Sequence, residues 1–227
     1  MWDSHPHSLL TPAFSLPFNP QPTNNLSQTP TSSLWSDKHK PQTRADIVGN
    51  SSQIQALIDW LDNWDNCILR GIKRQPAYSY NKYSKPPNIN ARAAIISGPP
   101  GIGKTSTARL LSISQHYTPF ELNASDKRNK DIINNSVGFL MNNTTLSSSS
   151  DSNITSRNLI IMDEVDGMSG NEDHGGIKAL IEIIKVTKTP IIFICNDIYN
   201  PKLKSLINHC LDIRFSKPDK WQVIQRL

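Results

Sequence analysis

Short runs of apolar residues alternate with amphipathic stretches from residue 93 onwards. Each run is bounded by turn-forming residues, and the runs cover residues 93–97, 119–122, 158–163, 190–195 and 211–215. The first four indicate strands buried on both faces, as in a parallel sheet covered by helices. The pattern therefore predicts an α/β fold with a parallel five-stranded sheet flanked by helices.

A helix is predicted just before this region. Apolar residues recur on one helical face from Ile54 to Ile68, and Ser52 and Gln55 have the spacing of a capping box. Residues 1–33 are rich in Pro, Ser, Thr and Asn without any period, which predicts a disordered tail. The loop 75–90 and the serine-rich stretch 147–152 are predicted to be irregular.

Length and composition favour one domain with a tail, since the chain has 227 residues. Its cysteines, Cys67, Cys195 and Cys210, show neither a C-x-x-C pair nor a His at metal-ligand spacing, which favours reduced structural thiols. The N-terminus lacks the features of secretion and transit signals, and no apolar run is long enough to span a membrane. We expect a cytosolic or nuclear protein that does not bind membranes.

The net charge of +5 is unevenly distributed. Between Asn66 and Phe120 there is no acidic residue, whereas the basic residues there are Arg70, Lys73, Arg74, Lys82, Lys85, Arg92, Lys104 and Arg109. This basic region favours a polyanion such as nucleic acid as a partner. The nearby Tyr78, Tyr80 and Tyr83 could stack on single-stranded bases, although a solvated insertion loop is the more common explanation.

A glycine-rich loop follows the first apolar run and has the pattern G-x-x-x-x-G-K-[ST]. Glycines let successive N–H groups converge on phosphates, and a helix beginning near Gly103 adds its positive end. Lys104 would reach the β and γ phosphates, and Thr105 would offer its hydroxyl to Mg²⁺. We therefore predict ATP and Mg²⁺ as cofactors. The predicted contacts are Gly98, Pro99, Pro100, Gly101, Ile102, Gly103, Lys104, Thr105 and Ser106.

Polar residues end the third and fourth runs. Asp163 is predicted to hold Mg²⁺ and Glu164 to orient the attacking water, although adjacent acids at a strand end can simply be solvated. Asn196 is a candidate γ-phosphate sensor if the two strands are neighbours, the alternative being an ordinary turn Asn. Asp166 is a weaker candidate that could cap the following turn.

From about residue 34 to 227, these residues resemble the AAA+ clamp-loader ATPases, most closely replication factor C large subunits. The matching segments are 34–41, 47–50, 98–105, 121–126, 161–176 and 194–197. The most specific of them are ELNASD at 121–126 and DEVDGMSGNED, which occupies 163–173 within the stretch 161–176. The resemblance implies a P-loop AAA+ core over 34–216 and the start of a truncated lid domain over 217–227.

The resemblance also implies a function. Such proteins act in the nucleus with the small subunits of a heteropentameric clamp loader, and use ATP to load a sliding clamp of the proliferating cell nuclear antigen type. The substrate is primer–template DNA in replication and repair. By the same resemblance, Ser36 and Val48 would pack on the adenine and Arg128 would face the DNA backbone. A solvated helix start is the alternative for Arg128.

Two departures from the family change the expectation. His209 stands where small subunits have the Arg of Ser-Arg-Cys, so this chain should receive an arginine finger and donate none. The segment 141–146 has no aromatic clamp-anchoring residue. Two other readings stay open: a truncated module that binds nucleotide without effective turnover, or another AAA+ DNA-processing ATPase, which DEVDGMSGNED disfavours.

Overall fold

The computed structural model describes residues 39–75, 86–124, 157–168 and 174–225. The predicted tail, Ser36, Arg128, the aromatic-lacking segment and the serine-rich stretch lie outside these residues, as do Tyr78, Tyr80 and Tyr83. The sheet and its helices lie in the compact unit Lys40–Leu227. Within its described part, the strands are β1 (Ala93–Ser97), β2 (Tyr117–Asn123), β3 (Arg157–Asp163), β4 (Ile191–Cys195) and β5 (Cys210–Arg214).

Helices connect and cover these strands. In the same described part they are α1 (Ser51–Asp62), α2 (Lys104–Ser114), α3 (His174–Val186), α4 (Lys204–Ile207) and α5 (Lys220–Ile224). A π-helical turn, Asp65–Leu69, follows α1, and a 3-10 turn, Val165–Met168, follows β3. No helix in these ranges is long and apolar enough to cross a membrane.

The sheet is parallel, with the strand order β2-β3-β4-β1-β5. The predicted five-stranded α/β fold is therefore confirmed. β1 pairs on both sides along its whole length, with β4 from Ala93 to Ser97 and with β5 over the same residues. Because all strands run the same way, the loops that follow β1, β3 and β4 meet at one edge of the sheet, where open α/β sheets bind ligands.

Two hydrophobic clusters cover the two faces of the sheet. On one face, α1 and α2 bury Leu57 and Leu111 against Ile96 and Ile161. On the other face, α3 and the turn before α4 bury Leu180 and Leu203 against strand residues that include Phe193. At the end of α1, the Trp60 indole N–H donates to the Ala91 carbonyl at 2.8 Å. This contact fixes α1 to the start of β1.

Two local predictions are wrong. β2 is not buried on both faces, because it is an edge strand whose Glu121 is partly exposed and pairs with Arg109 of α2 at 3.3 Å. The capping box at Ser52 and Gln55 does not form, because α1 already begins at Ser51 and its N-cap is Asn50. The Gln55 amide instead donates to Asp59 at 2.7 Å.

All three cysteines are free. Cys195 and Cys210 are buried and Cys67 is half-buried. Burial raises the pKa of the Cys195 thiol to about 12, and it raises the pKa of Cys210 further. The thiols of the two buried residues therefore stay protonated at neutral pH, in keeping with the structural role predicted for them.

Candidate nucleotide-binding site

The glycine-rich loop connects the end of β1 to the start of α2. Gly101 and Gly103 have φ angles of +75° and +83°, in the left-handed region that favours glycine. Gly98 is required for a different reason: a Cβ there would lie 2.5 Å from the Phe215 carbonyl oxygen. Phe215 follows β5, and its N–H donates to the Ser97 carbonyl at 2.7 Å. The loop is thus held against the chain that leaves the sheet.

Lys104 is the first residue of α2, and its side chain is only 6% exposed. Its ammonium donates to the carbonyls of Gly98 and Pro99, at 2.8 and 2.9 Å, and to Asn196 Oδ1 at 2.8 Å. Burial lowers the pKa of Lys104 from its ordinary 10.5, against the attraction of Asp163 and other acidic groups. The cation is thus aimed across the loop, with neutral acceptors as its direct hydrogen-bond partners.

Thr105 and Asp163 bring the predicted metal ligands together. The Thr105 hydroxyl donates to Asp163 Oδ2 at 2.6 Å, joining α2 to the end of β3. Among the described residues, no cluster of three or more His, Cys, Asp and Glu could hold a metal. Magnesium needs no such cage, because it is commonly held by one or two protein oxygens, substrate phosphates and water. The donor set therefore fits Mg²⁺ bound with a nucleotide.

Glu164 follows Asp163 with an unusual backbone. Its φ angle is +55°, a left-handed conformation that is strained for a residue with a Cβ. Its N–H donates to Asp163 Oδ1 at 2.8 Å, and its carboxylate accepts from the Asn123 amide at 3.0 Å. Asn123 lies opposite Asp163 in the β2–β3 register. The sequence alone did not indicate this contact, although Asn123 lies in the ELNASD segment.

Asn196 directly follows β4, which is the neighbour of β3 as the sensor hypothesis required. Its side chain contacts Lys104, as described above. Its backbone N–H donates to Asp166 Oδ2 at 3.0 Å, a contact that the sequence did not predict. The residues chosen from three separate chain segments therefore meet at one edge of the sheet.

A pocket of about 440 Å³ lies between these groups, and a second pocket of about 380 Å³ shares Thr105 and Ser106 with it. Ile102 packs against the core and is not among the residues lining either pocket. Val48 is half-buried and precedes α1, away from the phosphate loop in sequence. The residues lining the first pocket are Pro100, Gly101, Gly103, Lys104, Thr105, Ser106, Asp163, Glu164 and Asn196.

Residues 94–218 match the ATPase family associated with various cellular activities (AAA), which is more than half of the chain. The chain belongs to the AAA family. Among solved structures, the AAA fold of this chain is similar to that of PCH-2 from C. elegans, with a TM-score of 0.51 and 12% sequence identity. That likeness covers 78% of this chain and 46% of the other.

The resemblance to replication factor C large subunits is also confirmed. The chain is 42% identical over 198 residues to replication factor C subunit 1 of Homo sapiens, covering 84% of this chain and 17% of that protein. It is 37% identical over 200 residues to replication factor C subunit 1 of Saccharomyces cerevisiae, covering 86% of this chain and 22% of that protein. It is 42% identical over 176 residues to the replication factor C large subunit of Methanococcus aeolicus, covering 78% of this chain and 31% of that protein.

The AAA chain described here thus spans between 17% and 31% of the length of these relatives. The region that matches the AAA family, residues 94–218, contains the phosphate loop, the acidic pair and Asn196.

Proposed function

We propose that this chain is the ATP-binding and hydrolysing core of a clamp-loader large subunit of the replication factor C type. It would act in the nucleus with the small subunits of a heteropentamer, and it would load a sliding clamp onto primer–template DNA. The observation that carries the proposal is the convergence of Lys104, Thr105, Asp163 and Asn196 on one pocket. The similarity to proteins named replication factor C supports the choice of partner and substrate.

Each residue has a proposed role. The N–H groups of the phosphate loop would hold the phosphates, and Lys104 would exchange its neutral acceptors for the charged β and γ oxygens. Thr105 and Asp163 would hold Mg²⁺, which would supply positive charge beside the phosphates. Glu164 would orient and polarise the attacking water, and Asn196 would contact the γ-phosphate. In support of these roles, Lys104 already contacts Asn196 and Thr105 already contacts Asp163.

Other proposed contacts lie further from the phosphates. Ser36 and Val48 would pack on the adenine, and Arg128 would face the DNA backbone. His209 lies in the turn before β5 and is half-buried. It cannot offer a permanently charged guanidinium, so the arginine finger for this pocket would come from a neighbouring subunit.

Two measurements on the purified chain separate hydrolysis from binding alone. The first is the affinity for a nonhydrolysable ATP analogue, and the second is ATP hydrolysis with and without primer–template DNA and clamp. We expect analogue binding by the chain and hydrolysis that DNA and clamp stimulate. Binding without stimulated turnover would favour the alternative of a nucleotide-binding module. Stimulation by DNA alone would favour another AAA DNA-processing ATPase.

Two variants test the residue roles. Lys104→Ala should weaken analogue binding about a hundredfold, because a buried charge partner is lost. Glu164→Gln should keep binding and lower turnover by about a hundredfold or more, as expected for loss of a general base. Lys185→Ala, which removes an exposed lysine from α3, is the control and should change neither. Equal loss of binding and turnover in Glu164→Gln would contradict the role of Glu164.

A further inference from the structure

β3 and β4 stop pairing before they reach the phosphate pocket. The last register pair is Met162 with Phe193, and the residues that contact the pocket come after it on both strands. Backbone N–H groups beyond the last pair no longer have a partner in the β3–β4 ladder. On its other side, β4 stays paired with β1 as far as Cys195, so Asn196 is the first residue beyond both ladders and its N–H needs another acceptor.

Asp166 provides that connection from the turn after β3. Its Oδ2 accepts from the N–H groups of Asn196 and Asp197, at 3.0 and 3.3 Å. These groups lie 30 and 31 residues away in sequence, so the contact does more than cap the turn of Asp166 itself. Charged acceptors make stronger hydrogen bonds than neutral ones, and two donors on one oxygen restrict the backbone of both residues.

The restricted backbone carries the side chain that faces the loop. Asn196 Oδ1 accepts from the Lys104 ammonium at 2.8 Å, so Asp166 is linked to Lys104 through Asn196. Asp166 is not among the residues that line the phosphate pocket. Its carboxylate therefore does not contact a phosphate bound there, and its hydrogen bonds reach the pocket through Asn196.

We propose that Asp166 is a positioning residue that holds Asn196 against the γ-phosphate and thereby sets the preference for ATP over ADP. The inference rests on the proposed function, in which Asn196 contacts the γ-phosphate. ADP lacks that group, so a displaced Asn196 should weaken ATP binding and leave ADP binding alone. A general loss of folding would weaken both.

The test measures dissociation constants of the 227-residue chain for ATPγS and ADP, each with Mg²⁺. Asp166→Ala should lower the preference for ATPγS about tenfold, the size of one charged hydrogen bond, with ADP affinity unchanged. Asp166→Asn should keep part of the preference, because its amide oxygen can still accept, although a neutral acceptor makes a weaker hydrogen bond. When Asn196 is already replaced by alanine, Asp166→Ala should cause little further change in the preference for ATPγS over ADP. Coupling of this kind distinguishes a linked pair from two independent sites.

Asn200→Ala is the matched control. Its side chain accepts the Lys202 N–H at 3.1 Å in the same loop after β4. Within the part of the chain that the structure describes, no hydrogen bond of this side chain leads to Asn196 or Lys104. We expect unchanged affinities for both nucleotides. Hydrogen exchange gives a second measurement: the Asn196 and Asp197 amides should exchange faster in Asp166→Ala, while the amides of β1 stay protected. Should Asp166→Ala fail to fold, Asp166→Ser replaces it, since a hydroxyl is too short to reach both amides.

The outcomes separate the sensor role of Asn196 from the positioning role of Asp166. If Asn196→Ala keeps the preference for ATPγS, the proposed sensor role is wrong and this inference is lost with it. If Asn196→Ala loses the preference while Asp166→Ala keeps it, the sensor role stands and the positioning role of Asp166 is overturned. If Asp166→Asn loses as much as Asp166→Ala, negative charge rather than hydrogen-bond acceptance matters, and that also overturns it.

Discussion

The side chain of Asn50 forms two hydrogen bonds with the backbone of Ser216, which lies 166 residues later in the chain. Its amide donates to the Ser216 carbonyl at 2.9 Å, and its oxygen accepts the Ser216 N–H at 2.8 Å. Close by, a Cβ on Gly49 would lie 3.1 Å from the Cβ of Pro218. These hydrogen bonds therefore connect the segment before α1 to the segment between β5 and α5.

Loss of this connection should destabilise the fold. Asn50 also has a φ of +55°, which Asn tolerates better than Ala does. We expect Asn50→Ala to lower the free energy of unfolding by about 2–4 kcal/mol, from two hydrogen bonds and backbone strain. Asn50→Gly removes the same hydrogen bonds without the strain and should lose less. Urea unfolding measures both variants, and an unchanged midpoint in Asn50→Ala would contradict the expectation.

Gly98 should be the least replaceable glycine of the phosphate loop. Gly98→Ala would place a Cβ 2.5 Å from the Phe215 carbonyl oxygen, so the loop or the chain after β5 must move. We expect a destabilisation of about 2–3 kcal/mol together with weaker nucleotide binding. Gly71→Ala is the control, because Gly71 has a similarly unusual φ of +71° and nothing within 4 Å of the added Cβ. Gly71→Ala should lower the free energy of unfolding by only about 1 kcal/mol and leave nucleotide binding unchanged.

The affinity for ATP should fall at alkaline pH through Lys104. In the free chain, burial lowers the pKa of this ammonium below 10.5. Bound phosphates favour the charged form and raise that pKa, so binding takes up a proton once the free lysine has begun to deprotonate. Through Lys104, the affinity for ATP should not change with pH at values below the pKa of Lys104 in the free chain. It should fall as the pH rises through that pKa.

Calorimetry over a pH series measures this dependence. Lys104→Met should bind weakly at every pH and lose the part of the dependence that comes from Lys104. The unliganded fold should respond with the opposite sign: a lowered pKa means that the unfolded chain binds the proton more tightly. Stability contributed by this group therefore rises with pH between the pKa of the folded chain and 10.5. A flat binding profile up to that pH would contradict the assignment.

The left-handed backbone of Glu164 should lower the stability of the fold, and glycine at this position should relieve that cost. Glu164→Gly and Glu164→Ala both remove the carboxylate and its hydrogen bond to Asn123, but only glycine relieves a φ of +55°. We expect the glycine variant to be more stable than the alanine variant by about 1 kcal/mol. Thermal and urea unfolding of the two variants measure the difference. Alanine as stable as glycine would show that the backbone relaxes when the side chain is lost.

Features that depend on neighbouring residues in the sequence could be predicted. The phosphate loop is one continuous segment, because glycine turns, Lys104 and the start of α2 must all be adjacent to work. The strands were found for the same reason, since burial on two faces produces an apolar run. Asp163 and Asn196 could be chosen because each ends such a run, and parallel strands bring their ends to one edge.

Features that depend on contacts between residues far apart in the sequence could not be predicted. Nothing near Asn50 indicates Ser216, and nothing near Asp166 indicates Asn196, because each pair is formed by the path of the chain. β2 was predicted to be buried because its residues are apolar enough, yet its exposure depends on the strand order. The capping box failed because a good spacing does not decide where a helix begins when Asn50 is held by its partner in another segment.

The two margins of the sheet support different parts of the pocket. Fluctuations that open a sheet start at its margins, and β2, with Asn123, is at one margin while β5, followed by Phe215, is at the other. Fraying at β2 would remove the hydrogen bond between Glu164 and Asn123, whereas fraying at β5 would release the chain that packs on the phosphate loop at Gly98. Heating would therefore loosen the acidic side and the glycine side of the pocket independently, while β1, with a neighbour on either side, stays in place.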